Sequence, residues 1–379
     1  MKTLKAIKNF NFKGKKVLVR CDFNVPLSEK GDVLDDFRIK ASLPTIEYLI
    51  KKGAKLLLMS HMGRSFDSAQ NQKSKAERQF VEARREKRTK FSATIKNQKY
   101  SLKPIASKLE TLLNRKVKFL RDCVGEVVER EIRKMRPKGI VLLENLRFYK
   151  EEEEGNPNFA QKLAKLADIY INDAFSVCHR SHASVVGITK YLPSAAGFLL
   201  EKEIKVLSQV MNPPAGGLKR PLVVIIGGSK VQDKARVIER FLQMADWILI
   251  GNLISKEIKQ GKIELKKREK VVFPLDSIKG LDIGEKTIAI FKEKIFQAKT
   301  VFWAGPLGKI EEKKYQRGTE EIARTIIKSN SFSIIGGGDT IKFISRVGLI
   351  EKFNHVSIGG SALLAFLSGE KLPGLKALK

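Results

Sequence analysis

Short runs of Val, Ile and Leu recur along the whole chain, and many of them are continuous rather than alternating with polar residues. One series comprises Lys16–Phe23, Lys55–Ser60, Val117–Leu120, Gly139–Glu144 and Ile169–Asn172. A second comprises Leu222–Gly227, Trp247–Gly251, Val271–Leu275, Thr300–Ala304, Ser333–Gly336 and Val356–Gly359. A strand that is apolar on both sides must be covered on both faces, as a parallel strand in an α/β sheet is. Helical stretches separate the runs, as strand-helix-strand crossovers require. The pattern predicts a doubly wound α/β protein. In such sheets ligands sit beyond the carboxyl ends of the strands, and the informative polar residues of this chain follow the predicted strands there.

At 379 residues the chain is long for one core, and the two strand series suggest two Rossmann-like domains. Each is expected to be a parallel sheet covered by helices on both faces, the two joined by a hinge helix. We place the division at 194/195, with a C-terminal domain over 195–365 and a tail, 366–379, returning to the first domain. The helix joining the halves is expected to begin around Pro193–Gly197, and Pro193–Leu207 to include part of the hinge. Asn212–Gly217 is a loop by composition. One helix is expected to start near Pro44, bury Ile46, Leu49 and Ile50, and close at Gly53. Residues 65–101 are rich in Lys, Arg, Gln and Glu and read as a surface insertion, with a charge-laced helix over Lys75–Lys90.

The formal charge of +32 raises the expectation of a polyanionic partner, yet no nucleic-acid-binding motif is visible. The competing reading is a surface of solvated lysines, and the insertion carries the same two readings. No apolar run is long enough to span a bilayer, and the N-terminal stretch lacks the apolar core of a signal peptide. Cys21, Cys123 and Cys178 are too widely spaced for a disulfide framework or a zinc pattern. A cytoplasmic, reduced protein is expected.

The first half collects basic and polar residues after its strands. These are Asp22 and Asn24, Arg38, His61 and Arg64 in Ser60-His61-Met62-Gly63-Arg64, Arg147, and Arg180 in His179-Arg180-Ser181-His182. Guanidinium forks match carboxylate and phosphate oxygens, so several converging arginines suit a small, multiply charged anion. Singly, each reads as a surface charge or a structural ion pair. A metal is the competing use of the histidines, but no carboxylate or cysteine stands beside them at ligand spacing. The second half carries Gly227-Gly228-Ser229-Lys230-Val231-Gln232-Asp233-Lys234, Gly336-Gly337-Gly338-Asp339-Thr340 and Gly359-Gly360-Ser361, each after a strand. Glycines admit phosphates to the backbone at a helix N-terminus, Lys230 and Lys234 add charge one turn apart, and Asp339 is placed for Mg²⁺. Any one of these alone reads equally as a tight strand-to-helix turn.

Taken in order, Arg20-Cys21-Asp22-Phe23-Asn24-Val25-Pro26, Ser60–Arg64, Leu143–Phe148, Asn172–Phe175 with His179–Ser184, Gly227–Lys234, Phe302–Gly308 and Gly336–Thr340 strongly resemble phosphoglycerate kinase. The resemblance runs over nearly the whole chain. It implies a monomeric glycolytic enzyme that closes about a hinge to transfer a phosphoryl group reversibly between 1,3-bisphosphoglycerate and ADP, with Mg²⁺ as cofactor. It implies that Asp22, Phe23, Asn24, Arg38, His61, Met62, Gly63, Arg64, Arg147 and Arg180 bind 3-phosphoglycerate, in domain 1–194. It likewise implies that Lys230, Lys234, Glu311, Gly337, Gly338, Asp339 and Thr340 bind ATP or ADP, with Glu311 at the ribose and Asp339 at the metal. Arg38, Lys230, Gly337 and Gly338 are the catalytic positions it implies. The acceptor is a carboxylate, so no general base is needed, in keeping with the lack of a prominent acid–base pair.

Four departures from the family pattern stand out. Gly251-Asn252-Leu253-Ile254-Ser255 replaces a glycine-rich segment, Ala304 stands where an asparagine is usual, Ile358 and Ser361 alter a third glycine turn, and the basic insertion replaces a short loop. Three of the four lie in the nucleotide half, so weakened nucleotide affinity is expected. The alternative is a catalytically weakened protein on the same scaffold whose basic surface binds nucleic acid or another polyanion.

Overall fold

The computed structural model describes residues 4–63, 99–211, 218–228, 232–262, 265 and 268–379. Two compact units divide the chain, Met1–Lys202 with Leu372–Lys379, and Glu203–Lys371. The division falls within a helix, later than the 194/195 expected from the sequence.

The first unit contains β1 (Lys16–Arg20), β2 (Lys55–Met59), β3 (Lys118–Phe119), β4 (Ile140–Leu142), β5 (Ile169–Asn172) and β6 (Ser194–Ala196) in one sheet, ordered β3-β4-β2-β1-β5-β6. Every pairing is parallel. Its helices are α1 (Phe37–Lys51), α2 (Lys103–Leu113), α3 (Glu126–Arg133), α4 (Lys150–Glu153) and α5 (Pro157–Ala164). Val17, Val19, Leu56 and Leu58 join Ile39, Ile46 and Leu49 of α1 and Ile105 and Leu109 of α2 in one core. Leu18 and Leu57 project to the other face and are also buried. The continuous apolar runs are thus explained by cover on both faces. Of the expected tail, Leu372–Lys379 lies in this unit while residues 366–371 lie in the second: Lys5 N–H donates to Leu378 O, and Gly374 N–H to Cys178 O at 2.9 Å.

The second unit contains β7 (Leu222–Ile226), β8 (Trp247–Ile250), β9 (Val271–Val272), a small hairpin of β10 (Ser277–Ile278) and β11 (Asp282–Ile283), then β12 (Thr300–Ala304), β13 (Phe332–Gly336) and β14 (His355–Ser357). Its parallel sheet is ordered β14-β13-β12-β7-β8-β9. The helix α6 (Phe198–Met211) contains the division between the units, and α7 (Gln232–Leu242), α8 (Asn252–Lys259), α9 (Glu285–Gln297), α10 (Arg317–Lys328), α11 (Gly338–Arg346) and α12 (Ser361–Leu367) follow, while the short α13 (Pro373–Lys376) lies in the C-terminal segment of the first unit. Val301 and Trp303 pack with Phe291 and Ile322 on one face of this sheet, while Phe302 meets Phe241 of α7 on the other, ring centroids 5.3 Å apart.

The chain order reverses direction between β1 and β5 in the first sheet and between β7 and β12 in the second. These are the switch points where a doubly wound sheet opens a crevice at its carboxyl edge.

Three sequence expectations need correction. The first helix begins at Phe37, and Pro44 lies inside it. The buried face continues upstream through Ile39 and Ser42, and exposed Pro44 forfeits only the bond to the Lys40 carbonyl. The end is as expected: Gly53 adopts φ +80°, and the Gly53 and Ala54 amides return to Ile50 O and Leu49 O. The runs at 117–120 and 271–275 shrink to two-residue strands because β3 and β9 are sheet edges, paired on one side only. The segment expected to open the linking helix at 193–197 is instead the strand β6, and its small Ser-Ala-Ala sequence carries no β-branched signal. Residues Lys75–Lys90, most of the 65–101 insertion and the loop 212–217 lie outside the described residues. The three cysteines are free and buried.

Asp173, at the end of β5, is fully buried, and its Oδ1 accepts from Leu199 N–H at 2.9 Å at the start of α6. Burial pushes its carboxyl up to about 7, against the lowering effect of hydrogen bonds from Thr45, Leu200 and Leu199. A raised folded-state value means that stability is complete below the unfolded carboxyl range and declines as pH rises toward about 7. The first unit should therefore lose stability between about pH 4 and 7 by up to ~1.4 kcal/mol per pH unit. Hydrogen exchange over β1 and β5 should show that slope in the parent and its loss in Asp173→Asn. An unchanged slope in the variant would assign the effect to another group.

Candidate active site

At the carboxyl edge of the first sheet, β1 ends in a turn that buries Asp22 and Phe23. Phe23 N–H donates to Ser60 Oγ at 2.8 Å, tying this turn to the end of β2. Asp22 forms an ion pair with Arg38 from the start of α1, and its other oxygen accepts Asn24 N–H at 3.1 Å. Asn24 Oδ1 in turn accepts Gly63 N–H at 3.0 Å. Asn145 clamps the loop after β2 from the opposite side, accepting from Met62 N–H at 3.2 Å and donating to Met62 O at 2.9 Å. Arg147 Nη1 donates to Gly63 O at 2.5 Å, and its Nε lies 3.2 Å from Glu153 Oε1. The structure thus gathers Asp22, Asn24, Arg38, His61, Met62, Gly63 and Arg147 into one connected patch, in which protein carboxylates hold two of the arginines in place.

His61 is buried, and Arg20 Nη2 lies 3.1 Å from its Nδ1. Burial, followed by the positive fields of Arg147, Arg20 and Arg38, holds the imidazole well below its usual range. Burial and the charge of Arg180 likewise bring His179 down to about 4. Arg180 is exposed on the turn after the 3₁₀ segment Phe175–Val177. Arg64 lies outside the described residues.

In the second unit, three glycine turns meet at the carboxyl edge. Gly227 N–H donates to Ala304 O at 3.0 Å, Gly228 N–H to Pro306 O at 2.7 Å, and Gly305 N–H to Thr340 Oγ1 at 2.9 Å. A Cβ on Gly227 would strike the carbonyls of Pro306 and Gly305, so only glycine permits this approach. Lys234 Nζ donates to Gly227 O and is almost fully buried beside this junction. Gly337 takes φ +91° and precedes α11, whose first residues Gly338 and Asp339 are exposed, with open space above Gly338. A helix N-terminus with free amides, a positive dipole end and an exposed carboxylate can receive a phosphate group together with a hard cation. Thr340 is buried and serves the Gly305 amide, and Glu311 is exposed on the loop after β12. Lys230 lies outside the described residues.

The departures in this half have definite placements. Asn252 Nδ2 donates to Asp282 O at 2.5 Å, while Leu253 is exposed. Ala304 is buried at the end of β12. Ile358 is buried, and its N–H donates to Glu203 Oε1 at 2.9 Å, while Glu203 Oε2 lies 3.0 Å from His355 Nε2.

Sequence reasoning did not single out the supporting residues. Ser60 and Asn145 bond the site loops directly, through Phe23 N–H and the Met62 backbone, whereas Glu152 bonds Ser184. Glu144 accepts from Leu102 N–H and Asn145 N–H at 2.9 and 2.7 Å, anchoring the start of α2 to the segment after β4. The available signal was polar residues flanking the arginines in the same strand-end motifs.

This arrangement, a patch of basic and polar side chains on one parallel sheet and a glycine junction on another, has close parallels among known proteins. A family model described as phosphoglycerate kinase matches residues 7–259 and 252–370. Proteins named phosphoglycerate kinase from Borrelia garinii subsp. bavariensis and Dictyoglomus turgidum are 41% and 39% identical to this chain, over 100% of it and 100% and 99% of their own lengths. The crystal structure of phosphoglycerate kinase from Pyrococcus horikoshii OT3 superposes with a TM-score of 0.80 at 30% identity, covering 98% of each chain. With its two six-stranded parallel sheets and a family match over essentially its whole length, the chain belongs to the phosphoglycerate kinase family.

Proposed function

We propose that the protein catalyses reversible, Mg²⁺-dependent phosphoryl transfer between 1,3-bisphosphoglycerate and ADP, giving 3-phosphoglycerate and ATP. The observation that carries this reading is the full-length family match, with the polar ends of both sheets assembled as described. Asp22, Phe23, Asn24, Arg38, His61, Met62, Gly63, Arg64, Arg147 and Arg180 hold the phosphoglycerate. Lys230, Lys234, Gly337, Gly338 and Thr340 line or support the nucleotide phosphates, and Glu311 takes the ribose.

In the ATP-forming direction an oxygen of the ADP β-phosphate bonds to phosphorus while the bond from phosphorus to the carboxyl oxygen breaks, leaving the electron pair on the carboxylate. No proton needs to move, so positioning and electrostatic stabilisation of the equatorial oxygens supply the catalysis. Arg38, Lys230 and the amides of Gly337 and Gly338 are the groups for that role. Asp22 holds Arg38 oriented before substrate arrives, which limits the reorganisation the reaction needs. Asp339 is an exposed hard oxygen ligand in the first turn of α11, which suits Mg²⁺ because that ion takes most of its other ligands from phosphates and water. Asp339 would hold the ion there, and its charge would offset that of the phosphates. The substrates are assigned to different units, so the two must come together and exclude water for transfer, with α6 as the hinge element. We read the enzyme as a cytoplasmic monomer, as the resemblance implies. The family match favours this kinase over the polyanion-binding alternative.

A coupled assay with 3-phosphoglycerate, ATP and Mg²⁺ should show turnover in the parent and a fall of at least about 10²-fold in kcat for Lys230→Ala at unchanged circular dichroism. A folded parent that shows no turnover contradicts the reading.

Ala304 removes an amide next to the nucleotide phosphates, and a hydrogen bond to a charged group is worth roughly 1.5–3 kcal/mol, about ten- to hundredfold in affinity. Calorimetric titration should therefore show weak ATP and ADP binding that Ala304→Asn tightens by about tenfold or more. Tight binding by the parent, unaffected by the substitution, would show that the missing amide is immaterial.

A further inference from the structure

Arg20 is the last residue of β1, and its guanidinium is completely buried beneath the phosphoglycerate patch. Its donors are directed to three different elements. Nε donates to Ser184 Oγ at 3.0 Å, Nη1 to Cys21 O at 2.6 Å, and Nη2 faces His61 Nδ1 at 3.1 Å. Arginine keeps its charge throughout the accessible pH range and has no acceptor. The contact with His61 therefore has one polarity: Nη2–H donates and Nδ1 accepts. An imidazole whose Nδ1 accepts carries its proton on Nε2.

A fully buried cation needs a counter-charge. Glu152 of α4 is also completely buried, and it accepts from Ser184 Oγ at 2.5 Å and Ser184 N–H at 2.9 Å. Tyr170 of β5 holds the same segment by donating to Ser184 O at 2.8 Å. Burial alone would raise the Glu152 carboxyl, but His182, 3.6 Å away, and the charge of Arg20 bring it below its usual value. The charged groups acting on His61 are Arg147, Arg20 and Arg38, with His182 beside them, and all disfavour the imidazolium.

We propose that Arg20 is a positioning residue that fixes His61 as the neutral, Nε2-protonated tautomer, and that Glu152 holds Arg20 in place through Ser184. His61 then offers Nε2–H as a ready donor to an oxygen of the bound substrate, so no tautomer change is needed on binding. The role toward substrate rests on the reading of His61 as a phosphoglycerate ligand. The tautomer itself does not, since it is set in the free enzyme.

The test is ¹⁵N NMR of the His61 ring in the full-length, substrate-free enzyme between pH 5 and 8, followed by titration with 3-phosphoglycerate. The expected spectrum has a single neutral species with the proton on Nε2 at every pH. An Nδ1-protonated ring, an imidazolium at neutral pH or an equal mixture of tautomers overturns the proposal without recourse to any variant. In Arg20→Lys, which keeps the charge but loses the directed fork, and in Ser184→Ala, which cuts the link to Glu152, the tautomers should mix. The KM for 3-phosphoglycerate should rise roughly tenfold while that for ATP stays unchanged. Equal changes in both KM values with the parent tautomer retained would mark Arg20 as merely structural and overturn the proposal. A locked tautomer whose ring signals ignore saturating 3-phosphoglycerate would instead contradict the assignment of His61 to the substrate.

Discussion

In the second unit the turns at Gly227 and Gly305 approach too closely for a Cβ on either, and the glycine junction at the carboxyl edge of the sheet depends on that approach. Gly227, Gly305 and Gly337 end or follow β7, β12 and β13, neighbouring strands whose carboxyl ends face the same way because the sheet is parallel. Hydrogen bonds from Gly227 to Ala304, Gly228 to Pro306 and Gly305 to Thr340 hold the turns in register. With the backbones so placed, the amides at the start of α11 stand open beside Asp339 and the ammonium of Lys234 lies next to the junction. Sheet topology thus selects the location, and the absence of Cβ atoms makes it usable.

The first unit meets a different constraint, which is to concentrate positive charge without unfolding around it. It does so by giving its cations protein partners of graded burial. Arg20 is sealed in and balanced through Ser184 by Glu152. Arg38 and Arg147 lie nearer the surface and are oriented by Asp22 and Glu153. Only Arg180 among the described arginines of this group is exposed on a turn. The burial is graded: the deepest cation faces the His61 ring, and the shallower ones lie nearer the surface. Burial and the fields of Arg147, Arg20 and Arg38 all disfavour an imidazolium at His61 within this patch.

The fold was legible because parallel strands covered on both faces announce themselves as unbroken Val, Ile and Leu runs. The runs around Val17–Val19, Val223–Ile225 and Val301–Trp303 each became a central strand. Edge strands were overextended, since periodicity cannot show that pairing stops after Phe119 or Val272. The strand Ser194–Ala196 was invisible because its pairing with β5 places small residues where no propensity signal exists. Pro44 was read as a helix start because its local rule holds for first turns, whereas the buried stripe from Ile39 to Ile50 outweighs one lost hydrogen bond. At the site, Asp22, His61 and Arg147 could be named from their strand-end motifs, whereas Arg38 lies in α1, outside any such motif. Glu152 and Ser184 could not be paired with Arg20, because the contact joins residues more than a hundred positions apart that share no motif.

The account stands on a division of labour, with one substrate assigned to each unit. Equilibrium titration of Arg147→Ala and Asp339→Asn with 3-phosphoglycerate and with MgADP tests it most directly. The account predicts that Arg147→Ala loses affinity for 3-phosphoglycerate and keeps MgADP, and that Asp339→Asn does the reverse. If either folded variant kept both affinities, or if one substitution abolished both, the assignment of the substrates to separate units would be contradicted.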